Sequence, residues 1–236
     1  MTIRLYWSPD SANLVIRIAL EVLGLDFEGV RINRGEGDHK RAAFLAKNPQ
    51  GLLPVLEDGD LVLFETAAIL WHLVERAGKF GPHGPAADDP AARAAALRWM
   101  FYLSNTVHAD LRVAFYTNRY VAEARVPELR AGVRARLKSH LDLMEAQLGQ
   151  GGLLGSEITI PDIYLCVCMR WMQIYPPGEE MSGGLAGWPR LSDLAGRIEA
   201  LPGARRAFEA ESITAEGALT ASRLPNLSRA EVTGKI

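Results

Sequence analysis

The chain has 236 residues, 48% of them hydrophobic and 23% charged, with a formal net charge of -2. This is an ordinary globular composition with enough apolar material for a core, and the near-neutral charge excludes a general attraction to nucleic acid or to an anionic membrane. No apolar run approaches the ~20 residues a membrane-spanning helix needs, and Met1-Thr2-Ile3-Arg4-Leu5-Tyr6-Trp7 lacks the basic, apolar and cleavage regions of a secretory signal; a cytoplasmic protein is expected.

Ile3, Leu5 and Trp7 alternate with polar neighbours, so residues 2–7 predict a strand. Leu14, Val15, Ile18, Ala19, Val22 and Leu23 form one apolar helical face over residues 12–23, and Gly24 stands where a glycine cap belongs. Residues 27–32 predict a second strand, and residues 40–46 a short helix. Asn48-Pro49-Gln50-Gly51 is a turn signal. Asp58-Gly59-Asp60 lies between the apolar runs 54–56 and 61–64, a hairpin signal. A helix over 66–77 follows, ended by Gly78. The order is β-α-β-α-β-β-α. Residues 79–90, with Gly81, Pro82, Gly84, Pro85 and Pro90, have linker composition and mark a domain boundary. Beyond them the pattern is helical: an Ala-rich helix over 90–120, one opened by Pro127 with Leu129, Val133, Leu137, Leu141, Met144 and Leu148 on one face, a third from Pro161 and a fourth over 189–200. From about residue 206 the periodicity is weak and a draped tail is expected. Cys166 and Cys168, one residue apart in an apolar stretch, have neither metal nor redox spacing. They predict buried thiols, and no metal site is expected.

Three segments carry candidate chemistry. Pro54 opens an apolar strand after a turn; cis or trans are both compatible with the spacing. In the cis form the main chain of Leu53 can pair with an extended peptide. Glu65-Thr66 opens a helix, where a hydroxyl, free N–H groups and a carboxylate suit the zwitterionic head of an amino acid, although a plain cap reads the same way. Ser8-Pro9-Asp10-Ser11-Ala12-Asn13 joins the first strand to the first helix, at the strand end where open sheets bind ligands. There Ser11 and Asn13 can cap the helix, or can donate to an anion such as a thiolate and lower its pKa.

In this order and spacing the segments resemble the glutathione S-transferases. Asn48-Pro49-Gln50-Gly51-Leu52-Leu53-Pro54-Val55-Leu56 is similar to that family's loop before a cis-proline. Glu65-Thr66-Ala67-Ala68-Ile69 is similar to its Glu-Ser-x-Ala-Ile motif, and Ile158-Thr159-Ile160-Pro161-Asp162 to the capping segment of its sixth helix. In the last of these Thr159 and Asp162 form a capping box, with Ile158 and Ile163 as a hydrophobic staple. The resemblance covers about residues 1–205.

The resemblance implies a thioredoxin-like glutathione-binding domain (1–80) of α+β class, an all-α domain (90–205) and a tail (206–236). It implies a homodimeric detoxification enzyme that activates the glutathione thiol against a small hydrophobic electrophile. Glutathione-dependent disulfide or peroxide reduction, and a non-catalytic ligand-binding role, are the alternatives. Ser11 falls where theta-like members carry their serine, and Ala12 where beta-like members carry a cysteine. Ser11-Ala12-Asn13 resembles the Thr-Pro-Asn of Nu-like members, so Ser11 and Asn13 are the expected catalytic residues, with Ser8 and Tyr6 in reserve. The expected glutathione contacts are Glu65 and Thr66 for the γ-glutamyl head, Leu53 before Pro54 for the cysteinyl backbone, and His39, Lys40 and Gln50 for the glycyl carboxylate. Leu52 departs from the family's pattern, where Lys, Gln or His is frequent. The electrophile is expected between the domains, against a stripe running Leu97, Phe101, Ser104, His108, Leu111 and Phe115. Ser8, Ser104, His108, Arg112, Phe115 and Tyr116 are the expected pocket residues.

Overall fold

The structure, a computed structural model, describes residues 2–149, 151–175 and 184–221. They group into two compact units. The first holds the described residues through Asp88 together with Ala200–Glu216, and the second holds Asp89–Glu199 and the stretch that begins at Gly217. Among the described residues no helix is long and apolar enough to cross a membrane.

In the first unit β1 (Ile3–Trp7) is followed by α1 (Asn13–Leu23), β2 (Phe27–Arg31), α2 (Ala42–Leu45), β3 (Val55–Asp58), β4 (Leu61–Phe64) and α3 (Thr66–Ala77). The order β-α-β-α-β-β-α is the expected one, and with it the thioredoxin-like class. The sheet runs β2-β1-β3-β4, with β1 parallel to β2 and antiparallel to β3, and β3 antiparallel to β4. Period-two alternation buries Ile3 and Leu5 of β1 while Arg4 between them stays exposed. Helix α1 buries Leu14 through Leu20 without a break, as a helix covered on more than one side must. It ends where Gly24 turns left-handed at φ 73°, a conformation that costs glycine no Cβ clash.

The expected helix over 40–46 is two pieces. A 3₁₀ turn over Asp38–Lys40 and α2 are separated by Arg41, whose backbone is extended. A larger difference lies near the end of the chain, where Pro202–Ala210 forms a helix, α9, packed on α1. Its periodicity is weak in the sequence because the buried positions are Gly203, Ala204, Ala207 and Phe208, with a large apolar side chain at only the last of them.

The second unit is helical, with α4 (Pro90–Tyr102), α5 (His108–Phe115), α6 (Val126–Gln147), α7 (Ile160–Ile174) and α8 (Pro189–Glu199). A π-turn over Leu103–Val107 joins α4 to α5 without a break. In α4 the expected apolar stripe lies one residue round from the buried row. Ala96, Trp99 and Met100 are buried, whereas Leu97 is 36% and Phe101 60% exposed. The alanine-rich sequence conceals this row, and the π-turn, with its i→i+5 spacing, carries it on to Val107, Leu111 and Ala114. On α6 the expected face is the buried one, through Val133, Leu137, Leu141 and Met144. Helix α7 is buried all round from Ile160 to Met172, which makes it the axis of this unit. Cys166 and Cys168 lie on it as buried free thiols, both pushed up by desolvation.

The start of α7 has the expected capping box. Asp162 Oδ2 accepts from Thr159 N (2.8 Å) and Thr159 Oγ1 (2.5 Å), and its Oδ1 accepts from Leu153 N (2.7 Å). The carboxylate therefore ties a preceding loop to the helix start as well as capping it.

Candidate functional site

The strand registers gather the candidate segments. Tyr6 of β1 lies opposite Val55, which begins β3, and Val55 lies opposite Phe64, which ends β4. Trp7 lies opposite Arg31, which ends β2. The loop after β1, the turn after β2, Leu53-Pro54 before β3 and Glu65-Thr66 after β4 therefore all open at one end of the sheet.

At the end of β1 the chain turns through Ser8–Ala12 into α1. Ser8 N donates to Asn13 Oδ1 (2.9 Å), and the Ser11 hydroxyl donates to the same oxygen. Asn13 Nδ2 donates to Glu211 Oε1 (2.8 Å), and Asp10 N donates to Glu211 Oε2 (2.9 Å). Arg17, one turn along α1 from Asn13, donates through Nε to Glu211 Oε1 (3.2 Å). Its guanidinium also lies over the Trp7 ring at 4.4 Å. Glu211 and Asn13 are both 0% exposed. Ser11 is half-buried, whereas Ser8, Asp10 and Asn13 of the same turn are buried. Burial pushes the Glu211 carboxyl up, while Arg17 and the Asp10 N–H pull it back toward the carboxylate that accepts these hydrogen bonds. Asp10 has φ 47°, a left-handed conformation that a non-glycine residue adopts at some cost.

These positions refine the expected roles. Asn13 faces inward with both ends of its amide engaged, so it holds Ser11 and does not reach outward itself. Ser8 is fully buried and its hydroxyl finds no partner among the described residues, so it lines no surface open to substrate. Tyr6 donates to Glu57 Oε2 (3.1 Å). Burial and that carboxylate raise its hydroxyl above the usual phenol range, the wrong direction for a strong donor.

The other segments form a second group. The Leu53–Pro54 peptide bond is cis, and Leu53 precedes Val55, the first ladder residue of β3. Asn48 shapes the approach, accepting from Gln50 N (3.0 Å) and donating to Leu52 O (2.8 Å). Gln50 Nε2 donates to Glu65 Oε1 (3.1 Å), joining two of the expected contacts. Glu65 is exposed at the head of α3 with φ 77°, and Thr66 is buried in its first turn. A Cβ at Gly51 would lie 2.9 Å from the His39 carbonyl oxygen, so His39 sits directly against this loop. His39 Nδ1 is buried without a partner among the described residues, and desolvation, then Arg34 and Lys40, hold the imidazole below its usual range. Lys40 is exposed, and it acts on the group through its charge beside His39.

In the second unit, the α4–α5 segment carries Ser104, His108, Arg112, Phe115 and Tyr116. His108 Nδ1 hydrogen-bonds the Tyr164 hydroxyl (2.7 Å), and its ring lies 5.3 Å from that of Trp171. Desolvation and then Arg112 lower it to about 4, so it is neutral at pH 7. Phe115 packs edge-on to Tyr116 (4.7 Å) and Tyr175 (5.3 Å), and Arg119 caps the Tyr116 ring at 4.3 Å. Arg112 is exposed, and Ser104 is half-buried with its hydroxyl turned to Phe101 O and Asn105 Oδ1.

Glu211 is the residue that sequence reasoning passes over. It lies 198 positions from Asn13. The one local signal is Asn13 and Arg17, an amide and a guanidinium stacked four residues apart on an otherwise apolar face.

Residues 1–75 match the glutathione S-transferase N-terminal domain, and residues 127–209 the glutathione S-transferase C-terminal domain. Glutathione S-transferase 4 of Zea mays is 52% identical over 59 residues, 25% of this chain and 26% of that protein. Glutathione S-transferase 3 of Zea mays is 35% identical over 170 residues, 68% of this chain and 73% of that protein. A solved sphingomonad glutathione S-transferase complexed with glutathione matches with a TM-score of 0.72 at 27% identity, covering 88% of this chain and 98% of that one.

Proposed function

The chain belongs to the glutathione S-transferase family, and from that premise we propose that it binds glutathione and transfers it to a small hydrophobic electrophile. The convergence of four segments at one end of the sheet carries this reading. Glu65 and the first turn of α3 meet the ammonium and carboxylate of the γ-glutamyl head. The main chain of Leu53 pairs with the cysteinyl backbone. His39 and Gln50 receive the glycyl carboxylate in place of Leu52, whose side chain offers nothing to an anion. The cysteinyl sulfur then reaches the turn after β1.

There the Ser11 hydroxyl rotates from Asn13 Oδ1 to donate to sulfur. This favours the thiolate over the thiol and lowers its pKa. The thiol proton leaves to solvent. The thiolate attacks the electrophilic carbon, a carbon–sulfur bond forms, and the leaving group departs with its electron pair. The face carrying Ser104, His108, Arg112, Phe115 and Tyr116 is the proposed electrophile surface, with neutral His108 and the aromatic rings offering an apolar contact.

The test is the pH dependence of the ultraviolet difference absorbance of bound glutathione thiolate. Wild type should ionise the thiol about one to two units below its free value. Ser11→Ala should return it most of the way and lower kcat/KM at neutral pH about ten- to a hundredfold. Equal ionisation in the variant would remove Ser11 from the role. Turnover of a glutathione mixed disulfide in place of an aryl halide would make the chain a reductase.

A further inference from the structure

We propose that Glu211, delivered by α9 to the start of α1, is a positioning residue for thiol activation, acting on sulfur through Asn13 and Ser11. The inference rests on the transferase reading and extends it to a residue outside every sequence motif named above.

Three donors converge on this one buried carboxylate: the Asp10 main chain, the Asn13 amide and the Arg17 guanidinium. The Asn13 bond fixes which way the amide faces. With Nδ2 committed to Glu211, Oδ1 must point to the Ser8 N–H and the Ser11 hydroxyl. Reversing that amide would set two donors against the turn and leave Glu211 short of one. The Asp10 bond holds the left-handed residue directly before Ser11. Glu211 thus sets the backbone that carries the hydroxyl, directly through Asp10 N and by way of Asn13 through Ser8 N, and neither bond is spent when the hydroxyl turns to sulfur.

The placement of Glu211 is itself built in. A Cβ at Gly203 would meet the Glu21 carbonyl carbon at 2.9 Å and Val22 N at 3.0 Å, so the first turn of α9 touches the last turn of α1 backbone to backbone. Eight residues further on, Glu211 meets Asn13, which lies eight residues before Glu21. The two helices are antiparallel and in step, and Arg206 adds an ion pair to Glu21 at 2.7 Å. At the other end a Schellman motif stops the helix. Ser212 N bonds Glu209 O (3.0 Å), Ile213 N bonds Phe208 O (2.9 Å), and Ser212 is left-handed at φ 60°. Glu211 is the capping residue of that motif, held by its own backbone while its side chain reaches the thiol turn.

The experiment compares wild type, Glu211→Gln and Asn13→Leu, with two readouts: the pKa of bound glutathione thiol and the affinity for S-methylglutathione, which has no thiol. Glutamine keeps the shape but turns an amide N–H₂ toward at least one of the three donors. Glu211→Gln should raise the bound thiol pKa by about one unit and lower kcat/KM at pH 6.5 about tenfold, while S-methylglutathione affinity stays within about twofold. Asn13→Leu should do the same, and the double variant should add nothing further, because both cut one chain of contacts. An unchanged thiol pKa in Glu211→Gln beside a depressed one in wild type overturns the proposal and leaves the transferase reading standing. An undepressed thiol pKa in wild type overturns both. A parallel loss of S-methylglutathione affinity makes Glu211 a general support and overturns the positioning role. Should Glu211→Gln not fold, Asn13→Leu breaks the same link from the other end and decides by the same readouts.

Discussion

Two histidines show how burial tunes a residue for opposite purposes. His108 titrates near 6.5 in an unfolded chain and near 4 in the fold. Between those values the unfolded chain holds a proton that the folded chain refuses. Its contribution to stability is therefore complete above pH 6.5 and is lost as pH falls toward 4, by about 3 kcal/mol at most. Urea midpoints measured from pH 7.5 to pH 4 should fall in wild type and fall less in His108→Gln. His39 is also held below its usual range, but its main chain sits against the loop proposed to receive a carboxylate, and its Nδ1 finds no partner among the described residues. An arriving carboxylate raises the pKa of a nearby imidazole. S-methylglutathione should therefore bind more tightly as pH drops from 8 to 6 and should take up protons, seen in calorimetry as heat that varies with the buffer. His39→Ala should remove that pH dependence and weaken binding about tenfold.

Among the elements, α7 starts on a capping box in which one carboxylate takes three hydrogen bonds. Replacing Asp162 with alanine removes the acceptor for Thr159 N, Thr159 Oγ1 and Leu153 N, all in a buried setting. Loss of a cap and of buried hydrogen-bond acceptors together should cost about 2–4 kcal/mol, read as a lower urea midpoint. This box was legible because Thr159 and Asp162 stand three apart ahead of an apolar run. The hairpin was legible for a similar reason, since Asp58-Gly59 admits few other backbone paths between two strands. The elements that escaped the sequence are those whose packing face lacks large apolar side chains. In α9 glycine and alanine form most of the contact row, and in α4 the buried row opens on Ala96, so the larger side chains of Leu97 and Phe101 mark a face that stays exposed. The thiol turn divided likewise: Ser11 and Asn13 could be placed from their local spacing, whereas Glu211 depends on a helix-to-helix register that no local pattern encodes.

For the whole molecule, a homodimer is proposed, and light scattering should return twice the chain mass. Exposed Leu61 and Val62 on β4, an edge strand, and Phe101 on α4 are apolar surface that self-association would cover; Phe101→Glu should shift the distribution toward monomer if α4 takes part. The division into units has a consequence for synthesis. The first unit is not continuous in sequence: it needs Ala200–Glu216, which a ribosome makes more than a hundred residues after Asp88. At ordinary elongation rates that gap lasts on the order of ten seconds. During it the nascent sheet and its helices have α1 without α9 against it, and the turn after β1 lacks its buried carboxylate. The face of α1 awaiting Gly203, Ala204 and Ala207 is then surface that a chaperone can hold, and glutathione met during translation finds a sheet end whose thiol turn is still unset.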